Sequence, residues 1–310
     1  MKLTKEKIFT KPILVVVIAT FCCVLWGSAF PCVKIGYNYF NIGSDDIFSQ
    51  MLFAGVRFLI AGILIIAFGS ITEKKLLLPS KSFLPSIGVL SLTQTIIQYV
   101  FFYIALANTS GVNSSIINGS NNFFAIIIAF FLLREKLSVK KIVGCLLGFG
   151  GVILASISQG TVGGFNVLGE GFMIISAISC ALSNVLLKKF SQKHNPLILS
   201  GYQFIFGSIV MIIIGVSLGG RLTAINPYGI LILIYLALLS CITYTIWSLL
   251  LKYNGVAKIS IFGFITPVAG SIMSALFLGE YQLFDWKYLV ALILVALGIF
   301  IVNFTFSKRQ

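Results

Sequence analysis

Residues 111–137 read GVNSSIINGSNNFFAIIIAFFLLREKL, and residues 255–283 read GVAKISIFGFITPVAGSIMSALFLGEYQL. Both open on Gly-Val and close on a glutamate, Glu135 in the first and Glu280 in the second. Between those marks each stays mostly apolar for the roughly 20 residues that a helix needs to cross a hydrocarbon core of about 30 Å. The two stretches are offset by 144 residues at their starts (255 − 111) and 145 at their glutamates (280 − 135). Self-similarity at such a distance marks a chain built from two related halves.

Outward from these stretches the same pattern repeats, giving ten apolar runs over 12–35, 48–70, 84–106, 111–133, 139–158, 168–188, 197–218, 228–251, 256–279 and 286–306. Composition agrees: 58% of residues are hydrophobic, 10% are charged, and the mean hydropathy is +1.06. A soluble core of 310 residues cannot hide that much apolar surface from water, so the solvent is lipid. Inside a bilayer every backbone N–H and C=O needs an internal partner, which leaves helices or closed barrels. Barrel strands alternate in polarity, whereas 14–26 and 143–157 are apolar on all sides, so the runs are helices. The connectors are too short for a soluble domain.

The net charge of +14 comes from 22 basic residues spread through those connectors. They form no single basic face, so nucleic-acid binding is excluded and the charge is read as orientation. With the N-terminus in the cytoplasm, 18 of the 22 fall on the inside, while Lys34, Arg221 and Lys287 fall outside and Arg57 lies within the second run. A count of nine or eleven runs destroys this bias. Both termini are therefore placed in the cytoplasm. The basic stretch 2–11 precedes a run too long for a signal peptide and is read as leading into a retained first helix. The six cysteines all fall in apolar runs without metal-ligand spacing and are read as packing residues, and no cofactor or metal is expected.

Five runs per half is an odd number, so the second half enters the membrane from the opposite side. The predicted fold class is an all-α membrane protein of ten transmembrane helices arranged as two inverted five-helix repeats, 1–160 and 161–310. A weaker match lays 26–34 on 180–188, pairing Lys34 with Lys188. Inverted repeats give inward-open and outward-open states of similar energy, because exchanging the conformations of the halves inverts the access.

Trp26-Gly27-Ser28-Ala29-Phe30, Arg57-Phe58-Leu59, Phe102-Tyr103-Ile104-Ala105-Leu106, Arg134-Glu135-Lys136-Leu137-Ser138, Gly144 to Gly151, Thr266-Pro267 and Leu278-Gly279-Glu280 occur in that order. Through them the whole chain resembles the EamA-type transporters of the drug/metabolite transporter superfamily. The resemblance implies a multi-pass carrier of the cell membrane for a small metabolite, with export the commoner direction. One departure stands out. The family usually carries a Ser-Pro pair in both the fourth and ninth helices, but here Thr266-Pro267 is matched by Asn121-Asn122. The first half is then expected either to bend less or to use its asparagines on the solute.

Polar side chains in lipid-buried helices face the bundle interior and mark a pathway, or else serve as interhelical glue. Ser91, Gln94, Thr95 and Gln98 form one stripe, Ser114, Asn118, Asn121 and Asn122 a second, and Ser240, Thr243, Tyr244 and Trp247 a third, with Tyr202 and Gln203 in the seventh run. Two amide-rich stripes favour a pathway. The expected lining of a central cavity is Trp26, Gln98, Asn118, Asn122, Tyr202, Tyr244 and Trp247. Such a lining is neutral and rich in donors and acceptors, which suits small zwitterionic or polar organic solutes; amino acids and related metabolites are what the resemblance implies. Arg57 has two readings: partner for a solute carboxylate, or structural arginine bonding helix ends. The second is favoured, since the family carries an arginine there whatever the solute. Trp286, beside Asp285 and Lys287, is read as an interfacial anchor and left out.

No catalytic constellation appears, and the single histidine, His194, sits in a polar turn, so an enzyme is not expected. The alternatives to a carrier are a gated channel and, far behind, an intramembrane enzyme. The partners expected are the lipid bilayer and a small-molecule substrate, with a monomer as the assembly. All eight acidic residues lie in connectors or at helix ends, so no obligatory proton coupling through a buried carboxylate is expected. Glu135 and Glu280 are read as solvated helix ends or as latches at the gates.

Overall fold

The computed structural model describes residues 5–136, 138–158, 166–223, 226–280 and 286–303. Among them there are helices and connectors but no strand. A short α1 (Lys5–Thr10) precedes α2 (Pro12–Tyr39) and α3 (Ile47–Glu73). The third segment is α4 (Leu84–Leu90), a π-helical turn (Ser91–Ile97) and α5 (Gln98–Asn108). The fourth is split into α6 (Gly111–Asn118) and α7 (Asn121–Leu133), and α8 (Val139–Ser158) follows. The second half runs through α9 (Phe172–Ser191), α10 (Pro196–Ser217) and α11 (Pro227–Tyr253). It closes with α12 (Val256–Ser260), a 3-10 turn (Ile261–Phe264), α13 (Ile265–Leu278) and α14 (Trp286–Asn303). Counting the broken segments as one each, eight are long and apolar enough to cross a membrane. The other two, α8 and α14, have 20 and 18 residues and pack on each other. The boundary expected at 160/161, the motif residue Leu137, Asp285 beside Trp286 and the end of the last run at 304–306 lie outside the described residues.

Helix limits follow local chemistry. Asp46, Ser110, Asn195 and Asn226 each accept a backbone N–H one turn into the helix they precede, and Pro196 and Pro227 occupy first positions where a missing N–H costs nothing. Gly279 (φ 71°) closes α13 in the left-handed conformation open to glycine.

The outer surface is hydrocarbon-like, with Phe131, Ile71, Leu276 and Ile213 exposed. Gln94, Thr95, Gln98, Asn122, Gln203 and Arg57 are buried at the centre. Polarity is therefore higher inside than outside, as a lipid solvent requires.

The central helix breaks resolve the asparagine departure noted in the sequence. Pro267 removes a backbone donor just past the 3-10 turn in the ninth segment. The fourth segment is interrupted as well, without proline: the Asn121 Nδ2 donates to the Asn118 carbonyl (2.6 Å) and the Asn122 Nδ2 to the Gly119 carbonyl (3.0 Å). Gly119 and Ser120 keep right-handed helical dihedrals, and tighter backbone bonds run through them, Ser120 N–H to the Ile117 carbonyl and Phe123 N–H to the Ser120 carbonyl (3.0 Å each); the side-chain amides add to these.

α3 and α10 pack along one another through Gly62 and Gly201. A Cβ added at Gly62 would lie 2.8 Å from the Gly201 carbonyl oxygen and 3.0 Å from the Ile205 nitrogen, both backbone atoms that cannot step aside. Gly62→Val should destabilise the detergent-solubilised protein by about 1–3 kcal/mol, read as a lowered Tm. Gly88→Ala, with nothing within 4 Å of the new methyl, should hold or raise Tm. Equal Tm for Gly62→Val and the parent would remove the close-approach account.

Candidate functional site

The central helix breaks border a cavity of about 80 Å³. Sixteen residues line it, drawn from α2, α3, α5, the two broken segments, α9 and α11. One wall is aromatic: the Trp26 ring meets the Tyr244 ring edge-on at 5.4 Å and the Trp247 ring at 4.8 Å, and Phe30 lies 5.6 Å from Phe102. The rest of the lining is amide-rich, with Gln98, Asn118, Asn121, Asn122 and Asn184. None of the lining residues is a carboxylate or a histidine.

Six of the seven residues expected from the sequence meet here: Trp26, Gln98, Asn118, Asn122, Tyr244 and Trp247. Tyr202 is not among the lining residues. Its hydroxyl donates to the Leu77 carbonyl (3.2 Å) and its ring neighbours Phe206, so α10 turns it away from the centre. Residues that sequence reasoning had not placed in the lining join instead, among them Tyr99, Phe102, Asn184 and Thr266. Spacing gave a signal for Tyr99, which stands 145 residues before Tyr244 (244 − 99), the offset of the repeat. The two hydroxyls are hydrogen-bonded to each other.

The stripe of the third segment divides. Gln98 joins the cavity, while the π turn hands the rest to α10: Thr95 Oγ1 donates to Gln203 Oε1 (2.6 Å), Gln203 Nε2 donates to Gln94 Oε1 (3.0 Å), and Ser91 Oγ donates to the Gln203 carbonyl (3.1 Å). Those groups bond helix to helix. On α11, Thr243 bonds back to its own helix at Leu239, and Ser240 accepts from Arg57.

Arg57 borders the cavity from α3. Its Nε donates to the Leu236 carbonyl (3.2 Å), Nη1 to the Tyr103 hydroxyl (2.6 Å) and Nη2 to the Ser240 hydroxyl (2.9 Å), and the guanidinium carbon lies 4.8 Å from the Phe58 ring centre. Two buried lining atoms have no hydrogen-bond partner, Gln98 Oε1 and Trp247 Nε1.

Both ends of the broken segments are tied across the halves. The Glu135 carboxylate accepts the backbone N–H groups of Val256 (2.8 Å) and Ala257 (3.2 Å), at the start of α12. The Glu280 carboxylate accepts those of Gly111 (3.1 Å) and Val112 (3.0 Å), at the start of α6. An anion on the free N–H groups of a helix start is a favourable pairing in charge and in geometry. The Lys188 ammonium donates to the Lys252 carbonyl (3.0 Å), and Lys34 shares with Glu280 a second cavity of about 270 Å³. No group of three His, Cys, Asp or Glu able to hold a metal occurs among the described residues.

Comparison with known proteins gives the following. The chain is 28% identical over 263 residues to an uncharacterized transporter of Archaeoglobus fulgidus, covering 83% of this chain and 86% of that one. It is 26% identical over 285 residues to the uncharacterized transporter YyaM of Bacillus subtilis, covering 89% of each. One crystal structure superposes with a TM-score of 0.73 at 16% identity, over 93% of this chain and 97% of that one, and so shares the fold. The EamA-like transporter family matches twice, over residues 10–157 and 167–304. With both halves matched, the chain belongs to the EamA-like transporter family.

Proposed function

We propose that this protein is a secondary carrier that moves a small polar organic solute, an amino acid or a related metabolite, across the cell membrane by alternating access, in the export direction. The observation that carries this reading is a central, amide-rich and aromatic cavity whose two closures are built from equivalent residues of the two halves. In the proposal ten helices cross the bilayer, five per half, with 1–160 and 161–310 oppositely oriented, both termini cytoplasmic and the protein a monomer. Supporting it are the Lys/Arg bias, the double family match and the arithmetic of the ties: 111, 112 and 135 become 256, 257 and 280 on adding 145.

Opposite orientation puts the Glu135 tie at the cytoplasmic face and the Glu280 tie at the outer face. Opening one side breaks one tie and keeps the other. Because the ties have the same composition, two carboxylate oxygens on two backbone N–H groups, the two open states lie close in energy. A carrier needs that balance, whereas a channel opens both ends at once. The seven residues Trp26, Gln98, Asn118, Asn122, Tyr202, Tyr244 and Trp247 were expected to bind the solute; the six at the cavity keep that role in the proposal. A lining without carboxylate or histidine also supports facilitated diffusion or exchange, with no proton carried on a cavity carboxylate.

Liposomes holding the purified protein and a solute selected by thermal shift should show saturable uptake and counterflow with no pH gradient imposed. Flux that never saturates and shows no counterflow would favour the channel. Strict dependence on a pH gradient would overturn the coupling. In the same assay Gln98→Ala, Asn122→Ala and Trp247→Ala should raise KM about tenfold, the loss of roughly 1.4 kcal/mol of solute binding, while Tyr202→Phe leaves it unchanged. Uniformly silent cavity substitutions would assign those side chains to packing.

Accessibility tests the ties and the orientation together. An impermeant thiol reagent should label Asp45→Cys from outside and Lys140→Cys only from inside. Glu280→Gln should raise the outside labelling of Ile42→Cys, a wall residue of the cavity beside Glu280, by about tenfold, and Glu135→Gln should lower it. The same change from both glutamate variants would refute opposed gates.

A further inference from the structure

Arg57 is the one charged residue among the sixteen that line the central cavity. Its guanidinium is permanently charged, it is 2% exposed, and among the described residues no carboxylate lies within ion-pair distance. Neutral dipoles surround it, the Tyr103 and Ser240 hydroxyls and the Leu236 carbonyl. Such dipoles offset only part of the cost of holding a charge away from water. They also leave the donors unsaturated. A guanidinium carries five N–H bonds, and three are used, so one on Nη1 and one on Nη2 remain.

The rest of the wall points the same way. Trp247 is 3% exposed, and its indole N–H, which can only donate, has no partner; Gln98 is 5% exposed, and its Oε1, which can only accept, has none. The residues that line the cavity thus include a cation with two spare donors, one further donor and one acceptor. A planar carboxylate is the acceptor that the guanidinium fork fits with two parallel bonds. No lysine or second arginine lines the cavity, so a phosphate dianion would bring a buried negative charge with no counterpart.

We infer that Arg57 is a substrate-binding residue that takes the carboxylate of the transported solute as its counter-ion, so that the solutes are monocarboxylates, zwitterions included. The inference rests on the carrier reading above. Among the described residues Arg57 is the one buried cation, and the solute carboxylate gives it a counter-ion.

The test is counterflow in liposomes of wild-type protein with a labelled panel: L-alanine, L-threonine, L-phenylalanine, L-lactate, the uncharged solute uridine and the cation choline. Each amino acid is then challenged with its own carboxamide, which keeps size and ammonium but loses the carboxylate. The expected result is saturable counterflow for one or more carboxylate solutes and for neither uridine nor choline, with the carboxamide competing about tenfold more weakly or worse. Arg57→Lys should keep part of the preference, and Arg57→Gln should raise KM for the acid about tenfold or more and bring acid and carboxamide within about twofold of each other. A structural arginine would instead lower Tm and leave that ratio unchanged. Should Arg57→Gln fail to fold, Arg57→Lys decides in its place: a reduced acid-to-carboxamide ratio supports the role, and a parental ratio overturns it. Equal competition by the carboxamide, or saturable counterflow of uridine or choline with none for the carboxylates, overturns the inference and leaves the carrier standing. No saturable counterflow for any member of the panel overturns the carrier reading with it.

Discussion

A backbone N–H or C=O in hydrocarbon has no water as a second choice, and the architecture follows from how the chain meets that demand. Intact helices meet it by themselves. Where the helix is interrupted, at 119–120 and again at 261–264, something else must supply the partner. In both halves tighter 3-10-type backbone bonds supply it; in the first, two asparagine amides add to them, and in the second Pro267 has no N–H to satisfy. The same rule explains why interruptions, amides and cavity coincide. Polar side chains gather where backbone has been opened, and the opened backbone is where a polar solute can be received.

The two halves solve the same local problems with different residues. Arg57 of α3 bonds Ser240, and Gln203 of α10 bonds Thr95; 95 and 240 differ by the repeat offset of 145. Arg57 and Gln203 stand 146 apart (203 − 57), within one residue of that offset, so one half has a charge here and the other a neutral amide. The frame is shared, and the electrostatics are not. The central cavity is thereby chemically one-sided, with a single cation, Arg57 of α3, among its lining residues.

Much of this was readable in the sequence, because lipid imposes a simple code. The two Gly-Val to Glu stretches gave the repeat, and six of seven cavity residues followed from polar stripes at helical spacing. The misplacement of Tyr202 has a physical reason: in a helix with lipid on one side and protein on the other, an aromatic hydroxyl can turn toward a carbonyl near the surface, as it does at Leu77, without changing the hydropathy pattern. The π turn at 91–97 was also illegible. It rotates the stripe partway, giving Ser91, Gln94 and Thr95 to α10 and leaving Gln98 at the centre. A period of 3.6 assigns all four to one face. The sequence leaves Glu135 and Glu280 as solvated helix ends or as latches; nothing in a single chain of letters reveals that each lands on the start of a helix 121 or 168 residues away.

The tie made by Glu280 bears on the order in which the molecule is built. The free N–H groups of Gly111 and Val112 receive their carboxylate from a residue 168 or more positions later in the chain. When the fourth segment leaves the ribosome, Ser110 can already cap Asn113, but the carboxylate for Gly111 and Val112 has yet to be made. Glu135, by contrast, is waiting when Val256 and Ala257 arrive. Two ties that are alike in the finished protein are therefore unequal in time: one carboxylate precedes its N–H partners in synthesis, and the other follows them.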